Sequence, residues 1–106
     1  MKLVNLTPHA IHIGALTIPP SGTVARASEQ YVDLDPITVD GHEVPIRLVT
    51  YGDLTGLPEP QAGVAYIVSS IAAQAAAGRT DVLVPTDPIR DEEGRIVGCR
   101  ALARRP

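Results

Sequence analysis

The stretch of sequence that decides the fold is VAYIVSSIAAQAAAGRTDVLVP, residues 64–85. It begins with an uncharged run of strand-forming residues, Val64 to Val68, typical of a strand that is covered on both faces. It ends with a second apolar run, Asp81 to Val84, which we expect Pro85 to stop. A strand, a crossover and a strand favour parallel pairing. The short crossover also leaves an antiparallel or non-adjacent arrangement open.

The middle of this stretch predicts a short helix. Ser69 and Ser70 carry hydroxyl oxygens that can accept from the first backbone N–H groups of a helix. The alanines that follow favour helix, and Gly78 suits the residue after a helix end, where positive φ is common. We predict a helix over about residues 70–77. Its small side chains would let it lie close to a sheet or to a second copy of itself.

The rest of the chain predicts short strands and turns. Before the central stretch, Asp40-Gly41 between two apolar runs is a strong hairpin signal, whereas residues 28–35 are polar and indefinite apart from Tyr31-Val32. Residues 51–63 predict an ordered surface loop, because Pro58 and Pro60 restrict it. We therefore predict one domain over residues 1–106 of the α+β class. It would be a small, mostly antiparallel sheet or barrel-like meander with the Ala-rich helix packed on it.

Composition limits the function classes. The chain has 106 residues, ten prolines, nine glycines, no Phe and no Trp, which favours a β-rich fold with a core of small side chains. Marginal burial in a small chain leads us to expect self-association. The net charge of −3 argues against nucleic-acid binding. No stretch approaches membrane-spanning length.

Two further features predict a cytoplasmic protein. Met1-Lys2 leads into a short strand and not into a long apolar segment, so we expect no signal peptide. Cys99 is the only cysteine, which excludes an intrachain disulfide and fits a reducing compartment.

The candidate site is an anion-binding corner at the start of the predicted helix, where free N–H groups suit a phosphate or carboxylate. Guanidinium groups bind phosphate in a bidentate way, and a tyrosine can stack on a ring. The alternative is that the serines only cap the helix and that the first arginine after it only complements the helix dipole. The predicted ligand-binding residues are Ser69, Ser70, Arg79, Tyr51, Pro58, Gln61, His9 and Arg90.

Metal and catalytic signatures are weak. His9 and His12 are three residues apart, which places them on opposite faces of a strand, so we predict no metal site. His9 could act as a base for Ser69 or Ser70, but no G-x-S-x-G motif accompanies them. The sequence contains no G-x-x-x-x-G-K and no G-x-G-x-x-G motif. We therefore predict no cofactor and no catalytic residue.

Four segments carry a resemblance that covers nearly the whole chain. They are N-L-T-P-H-A-I at 5–11, P-P-S-G-T-V-A-R at 19–26, G-L-P-E-P-Q at 56–61 and R-D-E-E-G-R-I-V-G-C-R at 90–100. The chain resembles a group of short proteins of actinobacteria and their phages. The resemblance implies one intact domain and a viral or prophage origin. It carries no activity and no catalytic residue over to this chain.

The sequence thus favours a non-catalytic, oligomeric protein that binds a small anionic or nucleotide-like ligand. If the chain is phage-encoded, sequestering a host nucleotide signal would be a reasonable task. The first alternative is a structural or protein-interaction module of a phage or prophage. The second is a small hydrolase that uses His9 and a serine.

Overall fold

The fold is that of a computed structural model, which describes residues 1–105 and consists of eight strands and one short helix. Their order is β1 (Lys2–Asn5), β2 (Ile11–Ile13), β3 (Leu16–Ile18), β4 (Arg26–Val39), β5 (His42–Thr55), β6 (Val64–Ile67), α1 (Ser70–Ala75), β7 (Val82–Arg90) and β8 (Ile96–Ala103).

Six of the strands form one sheet in the order β1-β6-β7-β8-β2-β3. A backbone bridge from Asn5 to Pro20 connects the β1 end of this sheet with the residues after β3, so that the sheet is a nearly closed barrel. The predicted α+β class, with a barrel-like sheet and one short helix, is confirmed. The predicted antiparallel character is only partly right, because β1–β6, β6–β7 and β8–β2 are parallel pairs. These pairs join strands that are separated by other elements, so no tight turn forces them to run antiparallel.

The central stretch folds as the sequence predicts, with different ends. β6 and β7 pair in parallel, and the side-chain oxygen of Ser69 accepts from the N–H of Ala72 at 3.3 Å, which makes it the helix cap. The helix ends at Ala75, two residues before the predicted end, because the N–H of Ala76 bonds to both Ala72 and Ala73 carbonyls and tightens the last turn.

Pro85 does not stop the second strand, contrary to the prediction. β7 continues to Arg90 and pairs with β8 on one side, whereas its pairing with β6 ends at Leu83. Beyond that point Pro85 and Pro88 lie on an edge that needs no N–H donor.

β6 is covered on both faces, which explains its uncharged sequence. Tyr66 and Val68 belong to the core cluster that the helix covers with Ala72 and Ala73. Since neighbours in a strand point to opposite faces, Ile67, which is fully buried, points away from this cluster into the barrel.

Asn5 joins the two ends of the barrel by side-chain hydrogen bonds. Its Nδ2 donates to the carbonyl of His9 at 2.8 Å and to that of Ile18 at 3.0 Å. Its Oδ1 accepts from the N–H of Thr7 at 3.0 Å and from the Thr7 hydroxyl at 2.6 Å. Asn5 is 1% exposed, and burying its amide is tolerated because both ends of it are satisfied.

The remaining two strands form a long hairpin, which we call the arm (β4 and β5, 14 residues each). Its tip is Asp40-Gly41, both with positive φ (51° and 79°), as a type I′ turn requires, so the predicted hairpin is confirmed. The arm lengthens the molecule to 55 Å and gives a radius of gyration of 17.3 Å, compared with about 13 Å for a compact chain of this size.

Both strands of the arm extend beyond their predicted bounds toward the base of the arm. Residues 28–35, predicted to be indefinite, lie in β4, and residues 51–55, predicted to begin a loop, lie in β5. Residues 30–34 pair with 46–50, and residues 28 and 29 pair with 52 and 51. Each polar segment is therefore held in a strand by a partner that its own sequence does not reveal. Within residues 1–105, the structure has no helix that is both long and apolar enough to cross a membrane.

Candidate functional site

One face of the arm is apolar over the part that leads to the tip. Residues paired across two antiparallel strands point to the same face, and the face alternates along each strand. The register pairs Val32 with Leu48, Leu34 with Ile46, and Ile37 with Val44. We call the resulting set of seven aliphatic side chains the apolar face: Val32, Leu34, Ile37, Val39, Val44, Ile46 and Leu48. Six of them are exposed and Ile46 is half-buried.

A β-bulge keeps these side chains on one face. In β4 the apolar residues alternate up to Leu34 and resume at Ile37, which would place them on opposite faces of a regular strand. The register shifts between these two positions, so Asp35 and Pro36 together oppose Pro45. The extra residue restores the face, and both prolines lie where the ladder is already interrupted.

The opposite face of the arm is polar and mainly acidic. Arg47 Nε lies 3.2 Å from Asp33 Oδ1, and its guanidinium lies 5.7 Å from the centre of the Tyr31 ring. The Tyr31 hydroxyl donates to Glu29, and this hydrogen bond to a carboxylate raises the pKa of Tyr31. Glu43 also lies on this face, at the level of Thr38. The arm is therefore an amphipathic ribbon.

The predicted anion corner is engaged in internal contacts. The oxygen of Ser69 caps the helix, and the hydroxyl of Ser70 accepts from the Arg105 guanidinium. Ser70, Thr86, Arg104 and Arg105 border a cavity of about 360 Å³. Of the predicted residues, only Ser70 contributes to this cavity.

Arg79 and Gln61 lie together at a second depression, of about 480 Å³. The guanidinium of Arg79 donates to both oxygens of Asp81, from Nε at 2.9 Å and from Nη2 at 2.6 Å. This bidentate pair raises the pKa of Arg79 and lowers the pKa of Asp81. The two N–H donors of Arg79 that were predicted to bind a phosphate therefore bind a carboxylate of the same chain.

The other predicted residues lie in separate parts of the molecule. Tyr51 is in β5, at the level of Glu29, and Pro58 is exposed in the loop after the arm. His9 is exposed in the turn after β1, where its carbonyl accepts from Asn5 and Thr7. Arg90 donates to the carbonyl of Gly94 at the tip of the β7–β8 hairpin. Within residues 1–105, no group of three His, Cys, Asp or Glu residues is arranged to hold a metal ion.

The Arg79–Asp81 pair makes stability depend on pH. The hydrogen bonds from Arg79 lower the pKa of Asp81 by more than the partial burial of this carboxyl group raises it. Because the folded-state pKa lies below the unfolded one, the stabilisation is complete above about pH 4 and is lost as the pH falls through the folded-state value. We expect Asp81→Asn to cost about 1 kcal/mol at pH 7 and almost nothing at pH 2, measured by urea unfolding.

The matched control is Asp33→Asn, which removes an ion pair whose carboxylate side chain is 83% exposed. It should change stability little at either pH. A cost for Asp81→Asn that persists at pH 2 would show that the charge of Asp81 is not the source of the stabilisation.

The apolar face was not predicted from the sequence. Its signal is present in β5, where Val44, Ile46 and Leu48 alternate strictly with other residues. In β4 the same signal is broken at Asp35-Pro36, and a bulge there cannot be recognised before the strand is paired.

Comparisons of the chain with known protein families, with curated proteins and with solved structures give no match.

Proposed function

We propose that the chain is a non-catalytic protein-interaction module that assembles through the apolar face of its arm. The observation that carries the proposal is the exposure of this face over the outer part of a two-stranded ribbon. Contiguous apolar patches with a polar rim mark interaction surfaces. An isolated two-stranded hairpin is marginal in water, so a partner that covers the face would also stabilise the arm.

The charge of the arm favours a protein over a membrane or a nucleic acid. The opposite face carries Glu29, Asp33, Asp35 and Glu43 against Arg47. Anionic lipid headgroups and phosphate backbones would be repelled by this excess of carboxylates. An apolar protein surface meets no such repulsion.

The sequence resembles short proteins of actinobacteria and their phages. This resemblance supports the more specific proposal that the chain is a structural or protein-interaction module of a phage or prophage. The hairpin suits assembly, because the type I′ tip and the proline-bearing bulge set the register in which its two strands pair. The viral origin and the cytoplasmic location stay predictions.

The test is photo-crosslinking at neighbouring positions on opposite faces. A benzoyl-phenylalanine replaces Leu48, on the apolar face, or Val49, on the polar face; the native side chains are 50% and 40% exposed. In cells that naturally carry the gene, we expect irradiation to give protein adducts from position 48 and few from position 49. Equal yields, or none from position 48, would contradict the proposal.

A small anionic ligand is the second candidate. It is favoured by Arg104 and Arg105, which border one cavity with Ser70 and Thr86. Native mass spectrometry of the purified protein, before and after denaturation, tests it. A small mass that is lost on denaturation would support this candidate. Sequestration of a host nucleotide signal would require that mass to be a nucleotide.

A further inference from the structure

We propose that the partner of the apolar face is the apolar face of a second copy, so that the chain is a homodimer held together by two arms packed face to face. This inference rests on the proposed function, because it assumes that the arm is a docking element. It adds the identity of the partner and the way in which the two surfaces meet.

Charge is the first argument for a second copy. In a two-fold dimer each residue meets the same patch on the partner, so the surface must be complementary to itself. The apolar face consists of aliphatic side chains, with Gln30 and Thr50 at its base and His42 at its tip. Two copies of a surface with one strong charge would repel each other, whereas two copies of this face would not. The carboxylates of each arm would stay on the outside, in water.

Area is the second argument. The exposed members of the apolar face have between 38% and 56% of their surface accessible. Seven half-exposed aliphatic side chains present on the order of 500 Å² per copy, and pairing two faces removes on the order of 1,000 Å² from water. That value lies at the lower limit for specific interfaces. A smaller partner segment would leave part of the face exposed.

Symmetry gives the position at which the two copies can be tested. Along the arm, the apolar face has four levels, and the pair Leu34–Ile46 is one of the two central ones, with one level toward the base and two toward the tip. A two-fold axis that relates two stacked faces runs either along the arms or across them. In either case the centre of one face lies on the centre of the other, so Leu34 lies within about one level of its own counterpart.

The experiment uses opposite charges at this level. The full chain is prepared with Leu34→Asp and, separately, with Leu34→Lys, and masses are measured by light scattering at equal concentrations. We expect the wild type to have twice the chain mass of 11.2 kDa. Each variant alone should have the chain mass, with a dissociation constant raised at least about 100-fold by like charges that meet in an apolar interface. An equimolar mixture of the two variants should return to twice the chain mass.

The matched control is Val49→Asp, which places the same charge on the opposite face and should leave the wild-type mass unchanged. Recovery in the mixture cannot come from a variant that fails to fold, so it supports the face-to-face dimer. A wild type at the chain mass, or a mixture that does not recover, overturns the inference. The proposed function would then still be judged separately, by whether crosslinks from position 48 reach another protein.

Discussion

A chain that carries Asn5→Leu is expected to lose about 4 kcal/mol of its unfolding free energy. The substitution removes four side-chain hydrogen bonds and takes their partner from the buried N–H of Thr7 and the carbonyl of Ile18. The Thr7 hydroxyl keeps the His9 carbonyl as an acceptor. Each buried polar group that loses its partner costs about 1–3 kcal/mol. Domains of this size have only about 5–15 kcal/mol in total, so the loss is a large fraction of the stability.

The comparison for this prediction is Thr7→Val, which removes the hydroxyl and keeps the shape. It deletes the 2.6 Å bond to Asn5 and the 3.0 Å bond to the His9 carbonyl, and about 1–2 kcal/mol should be lost. Urea unfolding at pH 7 measures both. If Asn5→Leu proved no more costly than Thr7→Val, Asn5 would not be the residue that joins the two ends of the barrel.

A methyl group at Gly56 is expected to cost about 3 kcal/mol. Gly56 follows the arm with φ +82°, and a Cβ there would lie 2.4 Å from the carbonyl oxygen of Val24. The obstacle is backbone, so the segment that leads into the arm must shift, which adds to the cost of a left-handed non-glycine residue. Thermal and urea unfolding of Gly56→Ala measure the loss.

Gly63 provides a control with the same backbone conformation. Its φ is +74°, and a Cβ there would meet open space among the described residues. Gly63→Ala should therefore cost only the left-handed conformation, about 1 kcal/mol. If the two variants were equally stable, the close approach of Gly56 to Val24 would have no energetic weight.

Local sequence was sufficient to predict β6, the helix and the hairpin tip. The oxygen of Ser69 caps the helix by accepting from Ala72, only three residues away. The turn at the hairpin tip depends only on the two residues Asp40 and Gly41. Interactions of this range depend little on the rest of the fold. For the same reason the strand formers of β6 predicted burial on both faces without any knowledge of the neighbouring strands.

The strand directions required tertiary information. β1 pairs with β6, and β2 pairs with β8, although many residues separate the members of each pair. No turn between them fixes the direction, and the short strands lack a pattern that distinguishes parallel from antiparallel pairing. The fold class and the parallel β6–β7 pair could be predicted, whereas the parallel pairs β1–β6 and β2–β8 could not.

The candidate ligand residues illustrate a different limit. Arg79 has the chemistry to bind a phosphate, but two residues later Asp81 offers a carboxylate, and the turn brings the two side chains together. Residue type alone predicts what Arg79 can bind, whereas the fold decides what it does bind. For the apolar face, residue type alone predicts too little. No single aliphatic residue in β4 or β5 indicates a binding surface, and the seven side chains share one face only because the two strands pair.

The most direct test of the face-to-face arms is a thiol crosslink at their centre. Cys99 is buried, so a chain with Leu34→Cys would offer one accessible thiol, and Val49→Cys would offer one on the opposite face. Packed sheets lie about 10 Å apart, within reach of a short bismaleimide. We predict that Leu34→Cys crosslinks to twice the chain mass and that Val49→Cys does not. Equal crosslinking of the two variants, or none with Leu34→Cys, would contradict the dimer.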